Sequence, residues 1–233
     1  MKSLVFDTSS IISIATNELI PVLKLLKEKF NGDFLISSYV KREIIDYPLT
    51  TKKFKLEAIL IMDCLNNNYL KLNDDPAVAK KAIELLETAN TIFKTHLDYI
   101  KILDLAEVEA LVLAASKNSD AYVVDERTMR LLIENPDQLQ RLLETKLHTK
   151  ITMDRENLAK FIKETGNVKI IRSTELMVIA YELGLFNSYI SKTGTIDKKL
   201  RSPLLEGLLW GLKLHGCSIS EEEINEVMKF EKP

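Results

Sequence analysis

Two short apolar runs that each end in an aspartate constrain the fold of this chain most strongly. Leu4–Phe6 leads into Asp7, and Ala121–Val124 leads into Asp125. Uninterrupted apolar runs of this length are typical of strands that are buried on both faces, as in a parallel sheet covered by helices. In open α/β sheets, ligands bind beyond the carboxyl ends of the strands. The sequence therefore predicts an α/β fold with two carboxylates at the edge where ligands bind.

Strand and helix patterns alternate along the rest of the chain, which favours a three-layer α/β/α sandwich with a mostly parallel central sheet. We predict strands at 3–7, 33–37, 69–72, 121–125 and 168–171. We predict helices at 9–30 (with a split at Pro21), 38–45, 55–65, 75–96, 104–117, 136–147, 154–164, 175–183, 203–214 and 220–230, another that starts at Glu126, and a loop at 187–201. We expect one domain over residues 1–233, with helical insertions at about 74–98 and 132–166 and a helical tail at about 203–230.

Composition excludes several classes of protein. The formal charge is −2, from 34 acidic and 32 basic residues, so the chain is not a generically basic nucleic-acid binder. The two cysteines and three histidines are scattered and show neither zinc-ligand spacing nor a disulfide framework. No apolar run reaches the ~18 residues of a membrane span, and Asp7 interrupts the apolar stretch that a signal peptide would need. We therefore expect a soluble, cytoplasmic protein without a membrane partner.

Two glutamates fall where they could join the two aspartates. Glu43 lies in the helix after the second strand, and Glu107 lies in the first turn of the buried helix 104–117. A helix that begins near the carboxyl edge of the sheet would direct its first-turn acid at Asp7 and Asp125. Four convergent carboxylates repel one another unless a cation or a proton intervenes. Hard oxygen ligands suit Mg²⁺ or Mn²⁺, so the sequence predicts a divalent metal site.

Each acid also has a purely structural interpretation. Asp7 and the hydroxyl residues after it could form an ordinary helix cap. Asp104 and Glu107 have nearly the spacing of a capping box, in which the glutamate only satisfies the start of the helix. Glu43 taken alone is more typical of a solvated helix surface. The order and spacing of all four acids together favour the functional interpretation.

Basic and hydroxyl side chains near the strand ends are candidates for substrate binding. They are Ser9, Arg127, Arg130, Arg172 and Thr174. The two arginines that follow Asp125 could reach phosphates near the site, or could pair with local acids such as Glu126 or Glu134. The two hydroxyl residues at strand ends could orient a phosphate or cap a helix.

The acids, taken in order, resemble the motif pattern of the PIN-domain nucleases. That pattern is Asp-x-Ser/Asn after the first strand, an acid in the second helix, an acid that opens a later helix, and an Asp that closes the fourth strand. The matching elements are Asp7-Thr8-Ser9, Glu43, Glu107 and Asp125. The segment 106–110, AEVEA, resembles the Gly-Glu-x-Glu-Ala motif of one subfamily, with Ala106 where the family usually has glycine. The segments SPLLEGLL and GCSIS resemble the helical tail of that subfamily.

The resemblance implies a metal-dependent ribonuclease. Asp7, Glu43, Glu107 and Asp125 would be catalytic, and Asp7, Glu107 and Asp125 would hold Mg²⁺ or Mn²⁺ as the Lewis acid. The implied partners are RNA or another single-stranded nucleic acid and a second copy of the chain. Two other functions stay open: a PIN-fold nucleic-acid-binding protein with little catalysis, and a toxin regulated by an antitoxin-like protein. Inactive members would be expected to lose some of the acids, and the long insertions fit a compact toxin poorly.

Overall fold

The apolar runs before Asp7 and Asp125 form neighbouring strands of one sheet. The computed structural model describes residues 2–166, 168–192 and 195–231. The strands are β1 (Ser3–Phe6), β2 (Asp33–Ser37), β3 (Lys71–Asn73), β4 (Phe93–Lys94), β5 (Ala121–Val123), β6 (Thr152–Met153), β7 (Ile170–Ile171), β8 (Ser191–Lys192) and β9 (Thr195–Ile196). Five of them, in the order β3-β2-β1-β5-β7, form a sheet in which all neighbours are parallel. Every residue of β1 is buried, as its continuous apolar run predicts.

Helices connect the strands and flank the sheet, which confirms the predicted α/β/α sandwich. They are α1 (Thr8–Thr16), α2 (Ile20–Phe30), α3 (Ser38–Lys41), α4 (Tyr47–Thr50), α5 (Lys55–Asn66), α6 (Pro76–Ala89), α7 (Leu105–Lys117), α8 (Arg127–Glu134), α9 (Pro136–Leu147), α10 (Arg155–Thr165), α11 (Ser173–Glu182), α12 (Arg201–Leu214) and α13 (Glu221–Phe230). A π-helical turn, Arg42–Asp46, joins α3 to α4. The largely buried α7 packs on β1, β2 and β5 and is covered by α6 and α10. The second helical layer contains α1, α2, α5 and α11.

The predicted helix over 9–30 consists of two helices, α1 and α2. The break lies before Pro21, where Glu18 has a φ of 58° and cannot continue a right-handed helix. Pro21 lies in the first turn of α2, where its missing N–H costs nothing because that position has no intrahelical partner.

The predicted helix over 75–96 ends earlier, at Ala89. The side chain of Asn90 accepts hydrogen bonds from the amides of Ile102 (2.7 Å) and Leu103 (3.0 Å), which turns the chain back toward α7. The loop predicted over 187–201 contains two short paired strands, β8 and β9. The first difference arises because Asn90 binds amides 12 and 13 residues away, outside the local pattern.

The two predicted insertions pack against each other. Strand β4 in the first pairs antiparallel with β6 in the second, and α6 lies against α10. Phe93 and Phe161, one from each insertion, are fully buried in the main hydrophobic core. In the tail, α12 packs on α11 and α13 packs on α12. Within the described residues, no helix is both long enough and apolar enough to cross a membrane.

The register between β1 and β5 places the two aspartates at one edge of the sheet. Phe6 pairs with Val123, so Asp7 directly follows the end of β1 and Asp125 lies two residues beyond the end of β5. Because β1 and β5 are parallel neighbours, both aspartates lie at the carboxyl edge.

Candidate functional site at the carboxyl edge of the sheet

Asp7 is a buried carboxylate with one oxygen left without a partner. Its side chain is 2% exposed, and Oδ2 accepts hydrogen bonds from the amide (3.0 Å) and the hydroxyl (2.6 Å) of Ser9. Oδ1 is also buried and has no hydrogen-bond partner among the described residues. Burial raises the pKa of Asp7 to about 6. A buried, unpartnered oxygen of this kind is costly unless it binds a proton or a cation.

Asp125 is fully buried, and both of its side-chain oxygens are occupied. Oδ1 accepts from the amide of Ser173 and Oδ2 accepts from the hydroxyl of Ser173, each at 2.7 Å. The backbone amide of Asp125 donates to Ser9 Oγ at 3.1 Å. The Ser9 hydroxyl therefore connects the two predicted aspartates, because it donates to Asp7 and accepts from Asp125.

Glu107 lies in the first turn of α7 and forms a capping box with Asp104. The amide of Asp104 donates to Glu107 Oε2 at 2.8 Å, and the amide of Glu107 donates to Asp104 Oδ1 at 3.0 Å. Burial raises the pKa of Glu107 to about 9, and the negative charges of Asp104, Asp7 and Glu126 contribute to the increase. Glu107 thus caps its helix and also interacts electrostatically with Asp7.

Glu43 lies at the rim of the same edge, in the π-helical turn. The residue is exposed as a whole, but its carboxyl end packs against the start of α1, where the Thr8 hydroxyl donates to Oε2 at 2.6 Å. Burial of that end raises the pKa of Glu43, and the charge of Asp104 adds to the effect. The structure therefore brings Asp7, Glu43 and Glu107 to one edge of the sheet.

Asp104 and Glu126 add negative charge to the site beyond that of the four predicted acids. Asp104 contributes to the raised pKa values of Asp7, Glu43 and Glu107, and Glu126 contributes to that of Glu107. Both are helix caps, and Glu126 accepts from the amide of Met129 at 2.8 Å. The signal that could have identified them is their position at the start of helices that begin at the carboxyl edge.

Glu109, two residues after Glu107, faces a different neighbour. Its buried carboxylate accepts a hydrogen bond from the amide of Tyr39 at 2.7 Å, at the start of α3. Residues two apart on a helix point in quite different directions, so Glu109 contacts the start of α3, after the end of β2, whereas Glu107 interacts with Asp104 and Asp7.

The donor set fits a hydrated ion better than an ion enclosed by protein. Throughout the part of the chain that the structure describes, no three His, Cys, Asp or Glu side chains are close enough to hold one ion. Mg²⁺ keeps several waters and is usually bound by one or two carboxylates together with substrate phosphates. Asp7, whose Oδ1 has no partner among the described residues, and Glu107, which interacts electrostatically with Asp7, would be two such carboxylates.

The predicted substrate-binding arginines have different environments. Arg127 is exposed at the start of α8. Arg130 is partly buried, with Nη2 3.4 Å from the carbonyl of Ser218 and Nε 3.9 Å from Glu134, which was the predicted alternative partner. The structure places both on one cleft.

Arg172 and Thr174 lie inside the protein. Arg172 is 8% exposed and forms ion pairs with Glu175 and with Glu223, the second at 2.9 Å. Thr174 is buried, and its hydroxyl lies 3.6 Å from the Cys217 sulfur. In this conformation neither side chain is available to a phosphate.

Comparisons of the chain with models of known protein families, with curated proteins and with solved structures give no match. The site is therefore defined by its own side chains. Its main features are one buried, unpartnered carboxylate oxygen on Asp7 and the surrounding negative charge of Asp104, Glu107 and Glu126.

Proposed function

We propose that this protein is a PIN-like, metal-dependent nuclease that hydrolyses phosphodiester bonds of RNA at the carboxyl edge of its sheet. The observation that carries the proposal is the buried Asp7 Oδ1, which lacks a partner among the described residues. The negative charges of Asp104 and Glu107 surround it. A divalent cation would satisfy that oxygen and reduce the repulsion among the acids. The preference for RNA rests on the resemblance to PIN-domain nucleases.

Asp7 and Glu107 are the side chains that would hold the ion. Ser9 fixes the orientation of Asp7 through two hydrogen bonds, and Asp104 fixes Glu107 through the capping box. Asp125 supports the site through its backbone amide, which donates to the Ser9 hydroxyl. The role of Asp125 as a third ligand stays a prediction.

A bound Mg²⁺ or Mn²⁺ would supply Lewis-acid chemistry by polarising the phosphoryl oxygens and favouring the ionisation of water. Glu43 is suited to exchange protons with the attacking water, since Thr8 orients it at the exposed rim and its pKa is raised above the ordinary value. Residues of the chain would thus supply both the metal-binding carboxylates and a positioned carboxylate for proton transfer.

The two cysteines support a cytoplasmic location. Cys64 and Cys217 are both buried and unpaired among the described residues. Free cysteines are typical of reducing compartments. The homodimer and the antitoxin-like partner stay predictions from the sequence.

A nucleic-acid-binding protein with little catalysis is the second candidate. Two observations favour it. Ser173 occupies both carboxylate oxygens of Asp125, and no three described acids converge at ligand distance. Under this alternative, the protein would bind RNA at the same edge without cleaving it.

The deciding experiment is a cleavage assay on single-stranded and hairpin RNA with Mn²⁺, Mg²⁺ or EDTA. We expect cleavage with either metal, none with EDTA, and none by Asp7→Asn. Asp33→Asn is the matched control, because Asp33 starts β2 at the opposite edge and its side chain forms an ion pair with the exposed Lys71. Binding without cleavage under every metal condition would support the second candidate instead.

A further inference from the structure

A polar cleft of ≈ 740 Å³ lies between α8, α9 and the turn that joins α12 to α13. Its charged and polar walls include Arg127, Arg130, Glu134, Gln138, Lys213 and Ser218. This cleft is separate from the Asp7 site, but both of its sides are linked to Asp125.

Two connections hold the cleft beside the acidic edge. On one side, α8 begins at Arg127, two residues after Asp125. On the other, the amide of Ser218 donates to the carbonyl of Asp125 at 3.1 Å. Because Asp125 also donates to Ser9, one continuous set of hydrogen bonds leads from the Asp7 carboxylate to the wall of the cleft.

The side chains that line the cleft carry more positive charge than negative charge. Arg127, Arg130 and Lys213 face two acids, Glu134 and Glu223. Glu223 is already paired with Arg172 at 2.9 Å, and Glu134 approaches Arg130 only to 3.9 Å. An anion in the cleft would therefore meet cations that are not fully neutralised.

Two buried polar groups in the cleft lack hydrogen-bond partners. They are Arg130 Nε and Ser218 Oγ, neither of which has a partner among the described residues. Arg130 Nη2 makes only a long contact, 3.4 Å, with the Ser218 carbonyl. The side chain of Arg130 lines the cleft and is 17% exposed, so its guanidinium can reach a ligand there. A guanidinium with an unused donor, next to a residue with an unpartnered hydroxyl, is suited to a ligand with several acceptor oxygens on one centre, which is the chemistry of a phosphate.

We propose that this cleft binds a backbone phosphate of the nucleic acid that flanks the cleavage position. Arg130 and Ser218 would contact the phosphate oxygens, and exposed Arg127 would attract the strand at the mouth. The identification of the ligand as a nucleic-acid strand rests on the proposed function. The inference that the ligand carries a phosphate rests on the side chains of the cleft.

The test measures binding of a 5′-labelled single-stranded oligouridylate of 12 nucleotides by fluorescence anisotropy in EDTA, where no cleavage occurs. We expect Arg127→Glu to weaken binding about tenfold and to lower the slope of log K against log salt by about one. We expect Arg130→Gln to weaken it about threefold or more. Lys2→Glu is the matched charge reversal: Lys2 is exposed and precedes β1 at the opposite edge of the sheet. It should bind within about twofold of wild type.

Several outcomes would overturn the proposal. They are no binding by the wild-type protein, equal binding by Arg127→Glu and wild type, or equal weakening by Lys2→Glu. Unlabelled oligonucleotide and uridine 5′-monophosphate are compared as competitors. If both displace the labelled oligonucleotide at the same concentration, the cleft is a site for free nucleotides instead. Since Arg127 is exposed, its variant tests binding even if Arg130→Gln fails to fold. If the wild-type protein cleaves RNA with metal but the variants bind as tightly as wild type, the phosphate-binding role of the cleft is wrong and the proposed function stands. If the variants bind more weakly but the wild-type protein cleaves no RNA, the proposed nuclease activity is wrong and the role of the cleft stands.

Discussion

Ser173 donates both its backbone amide and its hydroxyl to the carboxylate of Asp125, each at 2.7 Å. Asp7, at the end of the neighbouring strand, has an Oδ1 without a partner in the part of the chain that the structure describes. The two aspartates follow similar apolar runs, but only the carboxylate of Asp125 has a hydrogen bond to each of its oxygens. We therefore expect substitutions of the two residues to have opposite effects on stability.

Asp7→Asn should stabilise the metal-free protein at pH 8 and abolish cleavage. Burial raises the pKa of Asp7 from 3.8 to about 6, so the folded state holds the proton more tightly than the unfolded state. Stability therefore falls as the pH rises from about 4 through about 6, and asparagine removes this cost, ~1–3 kcal/mol. Urea unfolding in EDTA should show a larger gain at pH 8 than at pH 5. A lower stability of the variant at pH 8 would contradict the interpretation.

Asp125→Asn should destabilise the fold, in contrast to Asp7→Asn. The substitution weakens two charge-assisted hydrogen bonds to Ser173 and leaves a mismatched donor buried, a cost of ~1–3 kcal/mol. Ser173→Ala should cost a similar amount, and the double variant should lose less than the sum, because the two residues share one interaction. Thermal unfolding of the four proteins in EDTA measures this. Additive losses would mean that the contact contributes little.

Manganese should stabilise the protein more at pH 8 than at pH 6. Protons compete with the metal for Asp7 and Glu107, whose pKa values are about 6 and about 9. Raising the pH removes those protons, so the affinity for Mn²⁺ should rise through this range. At a hundredfold excess over Kd the gain is ~2.7 kcal/mol. Thermal shifts across a Mn²⁺ titration at both pH values test this, and Asp7→Asn should show little shift. An equal shift in that variant would place the metal elsewhere.

Glu107→Gln should abolish cleavage without unfolding the protein. Glu109→Gln should lower the stability but keep the rise in melting temperature that Mn²⁺ causes. Glutamine can replace glutamate in a capping box, so the first variant mainly loses the charge near Asp7. The second weakens a buried bond to the amide of Tyr39, at a cost of ~1 kcal/mol. Cleavage rates and melting temperatures of the pair separate the two roles. The reverse pattern would assign the metal-binding role to Glu109.

Thr8→Val should slow cleavage roughly tenfold by releasing Glu43 from its fixed position. Valine keeps the shape of threonine and removes the donor. Thr16→Val in the same helix is the control, since that hydroxyl donates to the backbone carbonyls of Ile12 (2.8 Å) and Ser13 (3.4 Å) in its own helix. Single-turnover rates with Mn²⁺ should fall for the first variant alone. Equal rates for the two variants would show that Glu43 needs no positioning by Thr8.

The five strands of the central sheet and the capping residues of α7 could be predicted from the sequence. Burial on both faces requires continuous apolar residues, and β1 and β5 have them. The capping box of Asp104 and Glu107 joins residues three apart, so the sequence contains both of its members. Such features depend on short-range geometry, which is readable in any one segment.

The partners of the acids and of the buried arginine depend on the tertiary structure. The pairing of Phe6 with Val123 brings Asp7 and Asp125, 118 positions apart in the chain, to one edge of the sheet. Asp125 binds Ser173, 48 residues away, and Arg172 binds the carbonyl of Ser218, 46 residues away. Partners at such separations are brought together by strand register and helix packing, and no local pattern of residues encodes either one.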